Sequence, residues 1–262
     1  MRNQIFFLFA ALLALAPAAR AQSASFIVSQ HGKPVGTATA SFTANPHGYD
    51  TTSVVHVAMQ GLDYNLSKTE RLTSANQLKH VQLSATVNGS AVNVIAAPDA
   101  SRILLNISAN GRSATTGLPT HDAAVFLPDF DPGALETLLA LAVSRNNRDL
   151  WAIIPKKSGS IEPIQLATYA DERGTLDGQP IAVHHLVATI AGARTDLFSG
   201  PENQLLQAEL PQQGFALVRK GFVLTPPANP GAPPAHTSGW MTFINKLPTT
   251  ARTSASRRGG PN

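Results

Sequence analysis

Apolar and polar residues alternate along most of this chain between Ser25 and Leu224, and that period of two constrains its fold more than any other feature. Side chains two apart share one face of an extended strand, so such a chain builds sheets with one buried side. Leu78 to Val87 is the clearest case, with Val81, Leu83, Ala85 and Val87 expected inward and His80, Gln82 and Ser84 outward. Segments 25–30, 35–44, 49–60, 91–97 and 102–109 read the same way, and 62–73 puts Leu62, Tyr64 and Leu66 on one face before turning polar. Between them lie the turn signals His31-Gly32-Lys33-Pro34, Asn45-Pro46-His47-Gly48, Asn88-Gly89, Pro98-Asp99 and Asn110-Gly111. Further strands are expected at 150–155, 161–170, 180–191, 194–198, 204–210 and 215–224. No alternation of strands with helices appears, which argues against a doubly wound or hydrolase-like core.

One stretch breaks the pattern. Asp131 can cap a helix whose first position, Pro132, lacks an N–H that would go unpaired there anyway. Leu135, Leu138, Leu139, Ala142 and Val143 then follow the i, i+3, i+4 spacing of a single apolar face. Glu136 lies near the positive end of this helix, and Arg145 and Arg148 at or past its negative end. Leu118 to Phe130 reads as an irregular apolar approach to it. A lone helix in a β-protein has to bury its leucines somewhere, and the hollow side of a sheet is the natural place. The expected fold is therefore mainly β, an antiparallel meander forming a curved sheet or half-barrel around one central helix at 131–144.

The ends of the chain differ from the body. Residues 1–21 have the form of an export signal, with Arg2, an apolar run from Ile5 to Leu15 and the small-x-small site Ala19-Arg20-Ala21 before Gln22. The run is too short to span a membrane comfortably, and without cysteine there is neither a lipid-anchored cysteine nor a disulfide. The expected location is the bacterial periplasm or the medium. Residues 22–225 read as a single β-rich domain, and 226–262 as a Pro-rich linker and flexible basic tail. Within that tail Trp240, Phe243, Ile244 and Leu247 form an apolar patch able to dock on the body or on a membrane surface. The formal charge of +4 comes from the ends: Arg2, Arg20, Lys246, Arg252, Arg257 and Arg258 account for it, and the body is close to neutral. No nucleic-acid surface is indicated.

Chemistry-bearing patterns are sparse. There is no cysteine, no GxSxG elbow, no SxxK motif and no phosphate-binding glycine loop. His184 and His185 are adjacent in a strand, so they point to opposite faces and do not ligate one metal. One of them is expected inside, as a satisfied core or cavity histidine. The carboxylate pairs Asp129 with Asp131 and Asp171 with Glu172 read as solvated turn residues without reason for shifted pKa values. Neither catalytic residues, metal nor cofactor is assigned. The residues placed around an apolar ligand are Leu62, Tyr64, Phe126, Leu135, Leu138, Leu139, Trp151 and Tyr169, with core packing as the plainer role for the aromatic ones.

Two stretches carry a resemblance. FIVSQHGKPVGTATASF near the start, and DGQPIAVHHLVA followed by ARTDLFSGPENQLLQAELPQQGFALVRKGF, are similar to the opening hairpin and closing meander of periplasmic β-rich proteins of the LolA/LppX-like and DUF3108-type group. The resemblance covers about a third of the chain. It implies a half-barrel closed by helix that holds an acyl chain or lipid, with Leu135, Leu138 and Leu139 against the ligand. A single helix departs from the lipoprotein carriers, which have more, and no functional residue of theirs has a counterpart here. Three functions follow. The first is a non-enzymatic exported protein binding a lipid or other apolar molecule on the hollow side. The second is an envelope scaffold or interaction module with a filled core and a protein partner. The third is a β-rich accessory domain of an exported hydrolase.

Overall fold

A computed structural model describes residues 21–156 and 158–226. The stretches expected to be an export signal and a basic tail with an apolar patch lie outside them, save Ala21 and Pro226. Eight strands form an unbroken antiparallel meander: β1 (Ala21–Gln30), β2 (Lys33–Asn45), β3 (Gly48–Met59), β4 (Leu62–Leu72), β5 (Leu78–Val87), β6 (Ser90–Asp99), β7 (Arg102–Ala109) and β8 (Arg112–Pro119). The short β9 (Ala124–Phe126) leads into α1 (Pro132–Ser144). The second half comprises β10 (Leu150–Ile154), β11 (Ser160–Thr168), β12 (Glu172–Leu176), β13 (Gln179–Ile190), β14 (Ala193–Ser199), β15 (Leu205–Leu210), β16 (Phe215–Arg219) and β17 (Phe222–Leu224).

The turns explain the meander. His31-Gly32, Asn88-Gly89, Asn110-Gly111, Asp177-Gly178 and Ala191-Gly192 each place two successive residues at positive φ. That is the backbone of the two-residue hairpin whose twist matches its flanking strands. β1 then pairs with β16 as well as with β2, Phe26 lying opposite Arg219, and so joins the two halves into one sheet. From β16 the strip continues through β15, β14, β13, β11 and β10 to β9, the last pairing being parallel. It rolls until β9 approaches β5 and β8 approaches β11, but no ladder closes it. The result is a mixed, curved, open sheet with one helix, as the alternation implied.

Inside the roll lies the main core, and α1 runs through it against β2, β3, β9 and β15. The inward register of β4 is Leu62, Tyr64, Leu66, Lys68, Glu70 and Leu72, all buried. A smaller core lies on the other face, where β12 and β17 fold over β13 and bury Val183, Phe198, Leu206 and Phe222. Three expectations need correction. The approach to the helix begins on the last two residues of β8, whose strand was not foreseen, and contains β9. Val143 is 62% exposed, because the helix end projects beyond the sheet that covers its middle. Leu141, off the expected face, is fully buried, since the roll surrounds the helix on more than one side. Replacing Leu141 with alanine is expected to cost about 2–5 kcal/mol through lost burial and a new cavity, measured by urea denaturation.

Candidate functional site

The most unusual chemistry lies where α1 begins. Asp131 closes the first turn with Oδ1, which accepts from the N–H groups of Gly133 at 2.9 Å and Ala134 at 3.2 Å. Its Oδ2 sits 2.6 Å from Lys68 Nζ, and Glu70 Oε2 lies 2.9 Å from the same nitrogen. All three side chains are fully buried. Across the β3–β4 ladder Thr51 faces Glu70 and Ser53 faces Lys68, and Thr51 Oγ1 donates to Glu70 Oε2 at 3.3 Å. Glu70 Oε1, Asp131 Oδ2 and Ser53 Oγ have no hydrogen-bond partner among the described residues, Asp131 Oδ2 meeting Lys68 Nζ as an ion pair. Asp131 was expected in a solvated turn; its burial against Lys68 overturns that, because a carboxylate that must cap a buried helix is carried inside with it.

Charge sets the protonation of this cluster. Burial alone would push the Lys68 ammonium down, but Asp131 and Glu70 more than offset it and hold it above its usual value. Burial pushes the Glu70 carboxyl up, and Lys68 pulls it only part of the way back. Nearby, Tyr64 is raised well above its usual value by burial and by Asp129 and Asp131, and its hydroxyl donates to the Asp129 carbonyl at 3.3 Å. Asp129 itself meets Lys156 Nζ at 2.7 Å. A sequence signal for the cluster was present: Lys68 and Glu70 occupy the inward register of a stripe that is apolar before and after them. Reading the segment as turning polar missed it.

Beside the cluster, an apolar cleft of about 40 Å³ separates the start of α1 from β13, β14, β15 and β16. Leu135 and Leu138 line it from the helix, and Ile190, Leu197, Leu210 and Leu217 from the sheet. Phe130 also lines it, with φ of 56°, a left-handed conformation that bulky residues seldom adopt. Its ring packs edge-on against Tyr64 at 6.0 Å and Phe215 at 4.9 Å. Of the residues expected around a ligand, Leu135 and Leu138 meet here, and Tyr64 packs on Phe130, which lines the cleft. Leu62, Phe126 and Leu139 are buried in the main core. Trp151 stacks on His121 at 3.8 Å, and Tyr169 is half exposed on the outer face, against His185.

That outer face carries the second polar group. His185 lies between Glu172, 3.2 Å from Nδ1, and Asp196, 2.9 Å from Nε2, with Phe198 stacked on its ring. Burial works against the Asp196 carboxylate, yet His185 and Arg194 hold it below the usual range. His184 faces the opposite way and meets the exposed Asp171. Neither histidine enters the main core; His185, the more buried of the two, borders the smaller one. Glu172, expected to be solvated, is partly covered by that histidine. Among the described residues no group of three or more histidine, cysteine or acidic side chains is placed to hold a metal ion. Comparison with known proteins adds no relative, because no family model, curated protein or solved structure matches this chain.

Two predictions follow from these contacts. A Cβ on Gly133 would lie 2.4 Å from Ser53 Oγ, so the glycine permits the helix to approach the sheet. Gly133→Ala should therefore destabilise by about 1–3 kcal/mol despite alanine's better helix propensity, and adding Ser53→Ala should restore most of it. The second concerns Glu136, whose Oε1 accepts from the Leu205 N–H at 3.2 Å and whose pKa burial raises from 4.5 to about 7. The folded state therefore holds this proton more tightly than the unfolded chain does. Its contribution to stability is complete below pH about 4.5 and declines as pH rises toward about 7. Denaturation midpoints measured across that window should fall for the parent and fall less for Glu136→Gln.

Proposed function

We propose that this chain is an exported, non-enzymatic β-protein that takes a thin apolar ligand, such as an acyl chain, between its helix and the hollow side of its sheet. The observation that carries the reading is the cleft itself. It is the place where helix leucines and sheet leucines face each other without filling the space between them. Ligand sites for drug-sized molecules commonly enclose about 300–1,000 Å³, far more than this cleft holds. In this reading the described form is the closed one, and the ligand enters by displacing Phe130. That residue suits the role, since its left-handed backbone stores about 1–3 kcal/mol that a change of conformation would release. The resemblance to the LolA/LppX-like group supports the same reading, as those carriers hold acyl chains against a half-barrel.

A second reading has its own support. Leu138, Leu197 and Leu217 are fully buried around the cleft, which is the packing of an interaction module with a filled interior. Titration with a fluorescent fatty-acid analogue separates the two. The ligand reading expects saturable binding that tightens at least several-fold in Phe130→Ala and weakens in Leu135→Phe, which narrows the entrance. Absence of saturable binding to both the parent and Phe130→Ala would sink it and leave the interaction module.

A further inference from the structure

We propose that Lys68 and Asp131 become joined by an intramolecular amide bond, formed within the folded chain with Glu70 passing the protons. The proposal rests on the geometry under the helix and is independent of any ligand. Three charged side chains are wholly buried, two of them carboxylates around a single ammonium. Taking each ion out of water costs several kcal/mol, and such a group is stable only when every lone pair and proton is used. Here that condition fails, because Glu70 Oε1 and Asp131 Oδ2 have no hydrogen-bond partner among the described residues. Condensation removes two of the three charges. It also keeps the helix capped, because the oxygen lost is Oδ2, while Oδ1 stays as the amide carbonyl facing the N–H groups of Gly133 and Ala134.

The step balances without any co-reactant. The Lys68 ammonium first gives one proton to Asp131 Oδ2 across their 2.6 Å contact, leaving a neutral amine beside a neutral acid. The Nζ lone pair attacks Cγ and the N–C bond forms. Glu70 Oε2, 2.9 Å from Nζ, takes a second proton from that nitrogen and delivers it to the Oδ2 hydroxyl. The C–Oδ2 bond breaks and water leaves with its electron pair. One proton remains as the amide N–H, Glu70 is regenerated, and nothing is oxidised or reduced. Burial raises the Glu70 carboxyl, which makes its carboxylate a better proton acceptor. Positioning supplies the rest: reactants fixed within a rigid fold can behave as if present at about 10⁵–10⁸ M. Lys68 is held in the middle of β4 and Asp131 at the helix cap, so neither has to be brought in. Without cysteine the chain has no disulfide, and this bond would tie β4 to α1 covalently.

Mass spectrometry tests this on the full chain as purified from the cells that make it. Measured unfolded, the parent should weigh one water less than expected from its comparison with Lys68→Ala and Glu70→Gln, after the substituted side chains are allowed for. Trypsin should fail to cut after Lys68, and fragmentation should find a branched peptide linking Lys68 to Asp131. Asp131 cannot lose water by cyclising onto the next backbone nitrogen, because Pro132 carries no N–H. Asp177-Gly178 can, so a water loss mapping there counts against the proposal. A parent chain of unmodified mass that releases a peptide ending at Lys68 would overturn it. That digest needs only the parent, so the test stands even if Lys68→Ala does not fold.

Discussion

The Lys68 ammonium fixes the geometry of the molecule's interior. It rises from the middle of a sheet strand and meets the carboxylate that caps the only helix among the described residues. A helix crossing a rolled sheet could slide or rotate if only leucines held it, since apolar contacts are largely non-directional. One buried ion pair at its first turn fixes both position and rotation. Gly133, in that same first turn, lets the backbone come close enough for that pair to form. Everything downstream in space depends on this seat: which leucines face the cleft, where Glu136 reaches β15, and how Phe130 is presented.

Much of the architecture was legible from alternation and turn chemistry alone. Strands β5 and β7 run as their patterns indicated, because their inward residues are large, apolar and regularly spaced, and Asn-Gly turns leave little freedom at their ends. The failures have physical causes. β8 exposes most of its side chains on both faces, so it carries no period-two signal. Val143 fits a helical face on paper, but burial depends on what lies opposite, and among the described residues its side of the helix stays largely uncovered. Asp131 looked like a solvated turn residue because sequence proximity to Pro132 and Gly133 says nothing about depth.

The polar cluster was the informative omission. Binary patterning treats a charge on the inward face as the end of the apolar stripe, although Leu72 resumes the same register beyond Glu70. A stripe that is interrupted and then continues signals buried charge, and buried charge in a chain with no metal-binding pattern points to something built. The outer group around His185 shows the contrast. There Glu172 and Arg194 keep contact with water, the buried Asp196 is held by His185 and Arg194, and Tyr169 and Phe198 stack on the histidine ring.

The pairing of β1 with β16 has a consequence for how the chain reaches this form. The two strands that join the halves of the sheet come from opposite ends of the described sequence, Phe26 against Arg219. Long-range pairing of this kind is slow, because loop entropy is lost before the contact repays it. The meander from β2 to β8 needs only neighbours and can assemble early through its tight hairpins. The first of the described strands to leave the ribosome must instead wait, one edge open, for nearly the last. Until β16 arrives, the hollow of the roll stays accessible, and its leucines are exposed to whatever meets the half-made sheet.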